Sequence, residues 1–461
     1  MVLTLITALF AGILFGGCGI LGTTASAETD SADIYGSSAA ASESSDEVTS
    51  SSSEDAAELV QGFENGIIDA EDLFSKRDLK QTPDLSDAAY YTLADNEDII
   101  ISEAGLYVIS GIASEATILV EASDDAKVQI VLDGADMTNA DFPCIYVRTG
   151  DKVFITTVSD SSLNVTGAFV SDGTVKTDGA IFSRSDLVLN GTAALSVNSS
   201  KHGIVSKDDL KITGGTYFIT AASHGIEAND SIRIADGSLT VKAGKDGIHA
   251  ENEDDDALGY IYIGGGSFSI TAGDDGIHAT SRLQIDDGCF EINSAEGLES
   301  TAIQINGGTM TINAGDDGIN AAIKSSSVTP FVEINGGDIT ISMGAGDTDC
   351  VDSNGDVTIN GGTINVTGNS TFDYDGTGSI NGGTVYCNGQ QVTALPNQQF
   401  GGMGGFPGGG WGGHGGWNGG GFPGDGLPEG DPPEGNFPKG DFPGGSGNSR
   451  PRGDRGGISG I

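Results

Sequence analysis

Asp246-Gly247-Ile248-His249-Ala250 and Asp275-Gly276-Ile277-His278-Ala279 are the same five residues in the same order. Variants stand on both sides: His202-Gly203-Ile204, His224-Gly225-Ile226, Glu296-Gly297-Leu298, Asp317-Gly318-Ile319-Asn320-Ala321 and Asp349-Cys350-Val351-Asp352. Their leading positions fall 21 to 32 residues apart, most of them 21 or 22. A repeat of that length, made of short strands and turns, is the signature of a solenoid.

Each unit reads as three strands. In the central one they carry Ile248 and Ala250, then Ile261 and Ile263, then Phe268, Ile270 and Ala272, with a Gly-Gly turn before the third. Alternate residues of a strand share a face, and the inward positions agree between units. Leu210/Ile212, Ile232/Ile234, Leu283/Ile285, Ile303/Ile305 and Val332/Ile334 fill the second strand; Leu239/Val241, Phe290/Ile292, Met310/Ile312 and Ile339/Ile341 fill the third. The expected fold is all-β: a single-stranded parallel β-helix with rungs of about 21–22 residues stacked about 4.8 Å apart. A nine-residue calcium-binding β-roll would need a G-G-x-G-x-D period of about nine, which this spacing excludes.

Outward from the repeat, the units from Tyr90 to Val165 are less regular, as a capping end should be. Residues 59–88 mix apolar and charged positions and read as one short helix or a lead-in strand. Residues 28–71 are assigned to an acidic spacer, since its Ser, Ala, Asp and Glu cannot bury a core. Residues 72–395 form the solenoid. Residues 396–461, rich in Gly, Pro, Phe and Trp without an apolar period, form a low-complexity tail. Residues 1–27 read as an export signal. Two processing sites compete there: acylation at Cys18, after Leu14-Phe15-Gly16-Gly17, and cleavage after Ala25-Ser26-Ala27. The spacer suits a tether, so the preferred reading is a bacterial cell-surface lipoprotein, with a secreted protein as the alternative. Of the remaining cysteines (144, 289, 350 and 387), the spacing fits neither a zinc site nor a disulfide framework.

Acidic residues number 66 against 20 basic, a formal net charge of −46. Such a surface repels nucleic acid and anionic headgroups, leaving the lipid anchor as the only expected membrane contact. It suits hard divalent cations. One Asp before each Gly is ordinary turn chemistry, but several units carry two carboxylates. At about 5 Å, two such charges repel by roughly 3 kcal/mol at an effective dielectric near 20. Ca²⁺, which takes six to eight oxygen ligands, answers that repulsion. The metal candidates are Asp246, Asp274, Asp275, Glu296, Glu299, Asp316, Asp317, Asp349 and Asp352. His249 and His278 lie on the same edge and read as surface or stacking residues, because no third soft ligand accompanies them.

The runs Asp178-Gly-Ala-Ile-Phe-Ser-Arg-Ser-Asp-Leu, His202-Gly-Ile-Val-Ser-Lys-Asp-Asp-Leu and Asp352-Ser-Asn-Gly-Asp-Val-Thr-Ile-Asn-Gly-Gly-Thr, with the D-G-I units, resemble a bacterial carbohydrate-binding β-helix family of the clostridial cellulose- and pectin-binding type. The resemblance spans about Asp72 to Leu395. It implies an exported parallel β-helix that binds plant polysaccharides, bound calcium, and kinship in fold with pectate lyases of polysaccharide lyase family nine. His202 and His224 replace the family's Asp, which restricts metal candidates to Asp246 onward.

The favoured function is therefore a non-catalytic, calcium-assisted polysaccharide-binding protein, expected to act as a monomer. A neutral glycan could instead stack on Tyr260 and Tyr262, outward by alternation, beside Arg233, Gln284 and Gln304. A calcium-dependent lyase is the alternative. It would need a Lys or Arg base near the metal, and Lys245, with Lys324 behind it, is the weak candidate. A structural surface adhesin is the third reading.

Overall fold

The computed structural model describes residues 68, 70, 72–345 and 348–397. The proposed signal, Cys18, most of the acidic spacer and the Gly-rich tail lie outside them. The described residues contain strands and no helix. The strands form a 24-stranded and a 12-stranded sheet. That two-to-one ratio arises because each turn of chain lays one strand in the smaller sheet and two in the larger. Asp275–Ala279, Arg282–Ile285 and Cys289–Ser294 make one such turn, and Glu296–Ser300, Ala302–Ile305 and Thr309–Ala314 make the next. The strands pair in parallel from turn to turn, so the chain is an all-β parallel solenoid.

Register makes the core. Ile226, Ile248, Ile277, Leu298, Ile319 and Val351 pair in succession along the smaller sheet, and each is fully buried. The ladder Val241, Ile270, Ile292, Ile312, Ile341 runs likewise along the larger sheet. Phe268 and Phe290 stack with centroids 4.5 Å apart. Each such aliphatic side chain contributes about 1.5–3 kcal/mol by leaving water, and its nearest neighbours are its equivalents in the adjoining turns.

The glycine of the D-G-I unit has a packing role. A Cβ on Gly297 would lie 2.3 Å from the Gly318 carbonyl oxygen and 2.5 Å from Ile312 Cγ2, so the glycine admits the ladder on the opposite wall. The Gly-Gly turns work differently. Gly308 and Gly337 have φ of 91° and 93°, the left-handed region that glycine enters without cost. In the Gly264-Gly265-Gly266 turn that role falls to Gly266, at φ 114°.

Two features lie beyond the repeat. First, residues 68–81 contain neither helix nor strand where described and run across one outward column of the larger sheet. That column is Phe154, Val188, Lys211, Arg233, Tyr262 and Gln284. Ile68 N donates to Gln284 Oε1 at 2.6 Å, the Phe74 ring lies 6.2 Å from that of Tyr262, and Arg77 sits over Phe154 at 4.4 Å. Buried Asp78 and Lys211 pair at 3.5 Å. Ile68, inside the stretch assigned to the spacer, is only 1% exposed. Second, the last pairing is antiparallel: Thr384–Cys387 turns back onto Gln390–Val392. Asn388 and Gly389, at φ 50° and 77°, form the two-residue hairpin loop that Asn-Gly favours.

This strap corrects one expectation. Tyr260 and Tyr262 do face outward, but they are 7% and 6% exposed, packed with Ile68 and Leu73. Arg233, Gln284 and Gln304 are buried too. Their polar groups are engaged: Tyr262 with Asp286 at 2.7 Å, Arg233 with Asp209, Gln284 with Asp286 at 2.9 Å and Gln304 with Glu333 at 2.6 Å. A sugar ring has no access to this face while the strap is in place.

Candidate functional site: an acidic and histidine-lined edge

The smaller sheet carries two outward columns. One runs His202, His224, Asp246, Asp275, Glu296, Asp317 and Asp349, tied turn to turn by backbone bonds such as Gly225 N to Asp246 O and Gly297 N to Asp317 O. The other runs Glu227, His249, His278, Glu299, Asn320 and Asp352. Strict alternation would put Asp246 and His249, three apart, on opposite faces. The intervening glycine breaks that rule, because Gly247 and Ile248 both face inward. Aspartate and histidine therefore stand together.

Four imidazoles stack along this edge. Ring centroids of His202 and His224 are 5.0 Å apart, of His224 and His249 4.3 Å, and of His249 and His278 4.8 Å. Their nitrogens meet carboxylates: His224 and His249 Nδ1 lie 3.0 and 2.6 Å from Asp246 Oδ2. His278 Nδ1 lies 2.7 Å from Asp275 and 2.8 Å from Glu299. Lys324 Nζ lies 2.8 Å from the other Glu299 oxygen.

The electrostatics divide the edge into halves. Burial would raise Asp246, but the two imidazoles at its carboxylate more than offset this and hold it well below the usual range. Burial would lower His278, but Asp275 and Glu299 bring it up to about 10. Glu299 is likewise lowered, burial being outweighed by His278 and Lys324. Further along, the carboxylates face one another. Burial, then the charges of Glu299, Asp275 and Asp317, push Glu296 up to about 7 despite a hydrogen bond from Asn320. Burial, then Asp352 and Asp349, push Asp317 up to about 7. Asp352 rises to about 6 by burial and the charges of Asp349 and Asp373.

The middle of the edge opens into a cavity of about 310 Å³ lined by residues from His224 to Lys324. Donor atoms of Asp275, Glu296 and Glu299 lie within 4.8 Å of one another there, as do those of Asp246, Asp275 and His278. Beside them Asn320 gives its amide N–H to Glu296 at 2.9 Å, while its buried carbonyl oxygen has no hydrogen-bond partner.

Comparison with known proteins gives the family. The sequence profile of the family described as carbohydrate-binding domain-containing protein matches residues 95–302 and 297–393, well over half of the chain. The chain belongs to that family. A carbohydrate-binding domain-containing protein of Acetivibrio thermocellus is 32% identical over 129 residues, 27% of this chain and 45% of that protein. The chain thus spans less than half the length of the relative. A solved polysaccharide lyase-like protein from C. thermocellum, a gadolinium derivative, is 24% identical. It covers 62% of this chain and 99% of its own, with a TM-score of 0.39, too loose a superposition to argue from.

Among the metal candidates of this carbohydrate-binding family member, the structure gathers Asp246, Asp275, Glu296 and Glu299 around the cavity. Asp317, Asp349 and Asp352 form an adjoining acidic group, in which Asp317 accepts the Asp349 N–H at 3.0 Å. Asp274 and Asp316 are exposed in the preceding turns, outside both columns, but Asp274 also lines the cavity whereas Asp316 does not. Lys245 is exposed at the cavity rim. Lys324 is raised above its ordinary value, the Glu299 hydrogen bond and nearby carboxylates outweighing burial. His224, set aside by the sequence reading, is the equivalent of Asp246 one turn earlier and brings its Nδ1 to within 3.0 Å of the Asp246 carboxylate that His249 also meets. Cys144, Cys350 and Cys387 form no disulfide among the described residues.

Proposed function

We propose that this protein binds an anionic polysaccharide of the pectic type along the acidic edge, with Ca²⁺ bridging protein and uronate carboxylates. One observation carries the reading: the oxygens of Asp275, Glu296 and Glu299 converge within 4.8 Å at an open cavity. An all-oxygen donor set suits a hard cation. The unsatisfied Asn320 carbonyl oxygen is a further ligand of the right class. A cation there would relieve the mutual repulsion of Glu296, Asp317 and Asp352 and leave coordination positions for the carboxylates and hydroxyls of a glycan.

The reading also reconciles an acidic protein with an acidic polymer, since without a bridging cation a net charge of −46 repels a polyuronate. Family membership supports the carbohydrate; the polymer and the ion are inferred from the site. Export, with a lipid on Cys18, would place the edge outside the cell, where Ca²⁺ is plentiful, and intact mass of the mature protein tests that placement. The binding test is retention of the full-length protein on insoluble polygalacturonate. Retention in Ca²⁺ and release by chelator is expected. Retention indifferent to chelator refutes the bridging role and points to another face.

A further inference from the structure

We propose that His224, Asp246 and His249 form a second, chemically distinct metal site, one for a divalent transition ion of the zinc class. It lies toward the N-terminal side of the carboxylates assigned to calcium and does not depend on them.

Three features converge. The ring nitrogens Nδ1 of His224 and His249 come from successive turns and approach the same oxygen, Asp246 Oδ2, at 3.0 and 2.6 Å. All three donor atoms lie within 4.8 Å of one another, and Zn–N and Zn–O bonds of about 2.0–2.2 Å require only small outward shifts of the rings. The histidine stack also changes at this point. His202 and His224 are parallel within 5°, whereas His224 and His249 are tilted by 38°, as both rings turn their Nδ1 edges inward. Finally, His224 Nδ1 is buried and makes no well-aligned hydrogen bond, although it faces a carboxylate. A nitrogen so placed offers a lone pair to an ion.

The surroundings complete the design. His249 Nε2 lies 3.2 Å from Glu251 Oε2. A carboxylate on the distal ring nitrogen is the usual support of a metal-bound histidine, fixing its tautomer and raising its basicity. Two imidazoles and one carboxylate suit zinc, copper or nickel rather than calcium. The cavity borders the triad, so a three-ligand ion would keep an open position toward whatever occupies it. Binding would displace protons from the imidazoles, because the metal needs the neutral ring.

Calorimetric titration of the full-length protein with Zn²⁺, with and without excess Ca²⁺, tests the proposal. The visible spectrum of bound Co²⁺ gives a second readout. Expected is one saturable Zn²⁺ per chain that Ca²⁺ does not displace, with heats that depend on the buffer's ionisation enthalpy. H224A and H249A should abolish it and E251Q should weaken it about tenfold. H202A, D317N and H414A should retain it. Unchanged unfolding temperature and Ca²⁺-dependent retention verify that the histidine variants fold, and an unchanged circular-dichroism spectrum does so for D317N; His249→Gln replaces any alanine variant that does not fold. Absence of saturable binding, binding unchanged in H224A and H249A, or loss in H202A or H414A instead, would each overturn the assignment. Loss of Ca²⁺-dependent retention in D317N with zinc binding intact would separate the two sites.

Discussion

Replacing Asp317 with Asn should stabilise the metal-free protein at pH 8 and weaken its response to calcium. Asp317 is raised from 3.8 to about 7, burial acting first and the charges of Asp352 and Asp349 next. A folded-state value above the unfolded one means that folding favours the protonated form. The stability this group supplies is complete below pH 3.8 and is lost as pH rises through about 7. At pH 8 the wild type therefore carries an ionised, repelled carboxylate that Asn lacks. Asn also keeps the oxygen that accepts the Asp349 N–H at 3.0 Å. At 1.36 kcal/mol per pKa unit the full shift would be about 4 kcal/mol. Solvent screening of this part-exposed side chain reduces that to about 1–2 kcal/mol, which for a solenoid of this length is on the order of 1.5–3 °C in unfolding temperature. The assay is thermal unfolding of both proteins in chelator from pH 4 to 8, then in Ca²⁺. The gap should open as pH rises from 4 to 7. Calcium should raise the wild type more than D317N, since a ligand stabilises the state that binds it. A destabilised D317N at pH 8, or a gap independent of pH, would refute the electrostatic account of this edge.

Glu296→Gln should lower Ca²⁺-dependent retention on polygalacturonate about tenfold while leaving secondary structure intact, by analogy with loss of one charged ligand oxygen. Pull-down across a calcium series reads this. Gly297→Ala should cost about 1–3 kcal/mol by overpacking, because its methyl would meet the Gly318 carbonyl and Ile312; urea unfolding measures it, and a neutral result would mean that the wall can relax. Ile68→Ala should loosen the strap, with about 2 kcal/mol lost locally. Limited proteolysis between residues 68 and 81 should then quicken and Tyr260 and Tyr262 fluorescence become quenchable; unchanged cleavage would show that the contacts of Phe74, Arg77 and Asp78 hold the strap without Ile68. Incubation with polygalacturonate and Ca²⁺ should release no unsaturated, ultraviolet-absorbing product, and a rising absorbance would reopen the lyase reading.

The solenoid was legible because its core is a local pattern repeated: Ile248, Ile277 and Ile319 each announce a turn, and register follows from spacing. The acidic edge was legible in part for the same reason. Asp275, Glu296 and Glu299 share a column with their equivalents, and their excess over turn chemistry marked them. His249 and His278 were read as stacking residues on the acidic edge, and they do stack; what the spacing did not show is how Asp246 and His249, three apart, come to share a face, which rests on the inward packing of Gly247 against Ile270. Replacement of Asp by His224 read as the loss of a calcium ligand, when in three dimensions it brings a second imidazole to Asp246. Tyr260 and Tyr262 were assigned to the correct side of the sheet, but nothing periodic in Ile68, Leu73 and Phe74 signals that they lie across it. The closing hairpin had its signal in Asn388-Gly389, which the parallel repeat overshadowed.

That hairpin bears on how long the object can grow. A stack of parallel strands ends in a row of open backbone donors and acceptors, the same template that lets cross-β fibres add molecule after molecule. Here the chain reverses at Asn388 and lays Gln390–Val392 against Thr384–Cys387, occupying one of those rows with its own backbone. What it then presents is three residues long, two of them glutamine, too short and too polar a seed for another copy. The Leu395 carbonyl accepts from the Tyr374 hydroxyl at 3.3 Å and Asn397 gives its amide to the Tyr374 carbonyl at 2.9 Å, which ties residues 395–397 to the last strand of the smaller sheet. Within the described residues, the row of the larger sheet that ends at Thr384–Cys387 is thereby closed by the chain's own backbone.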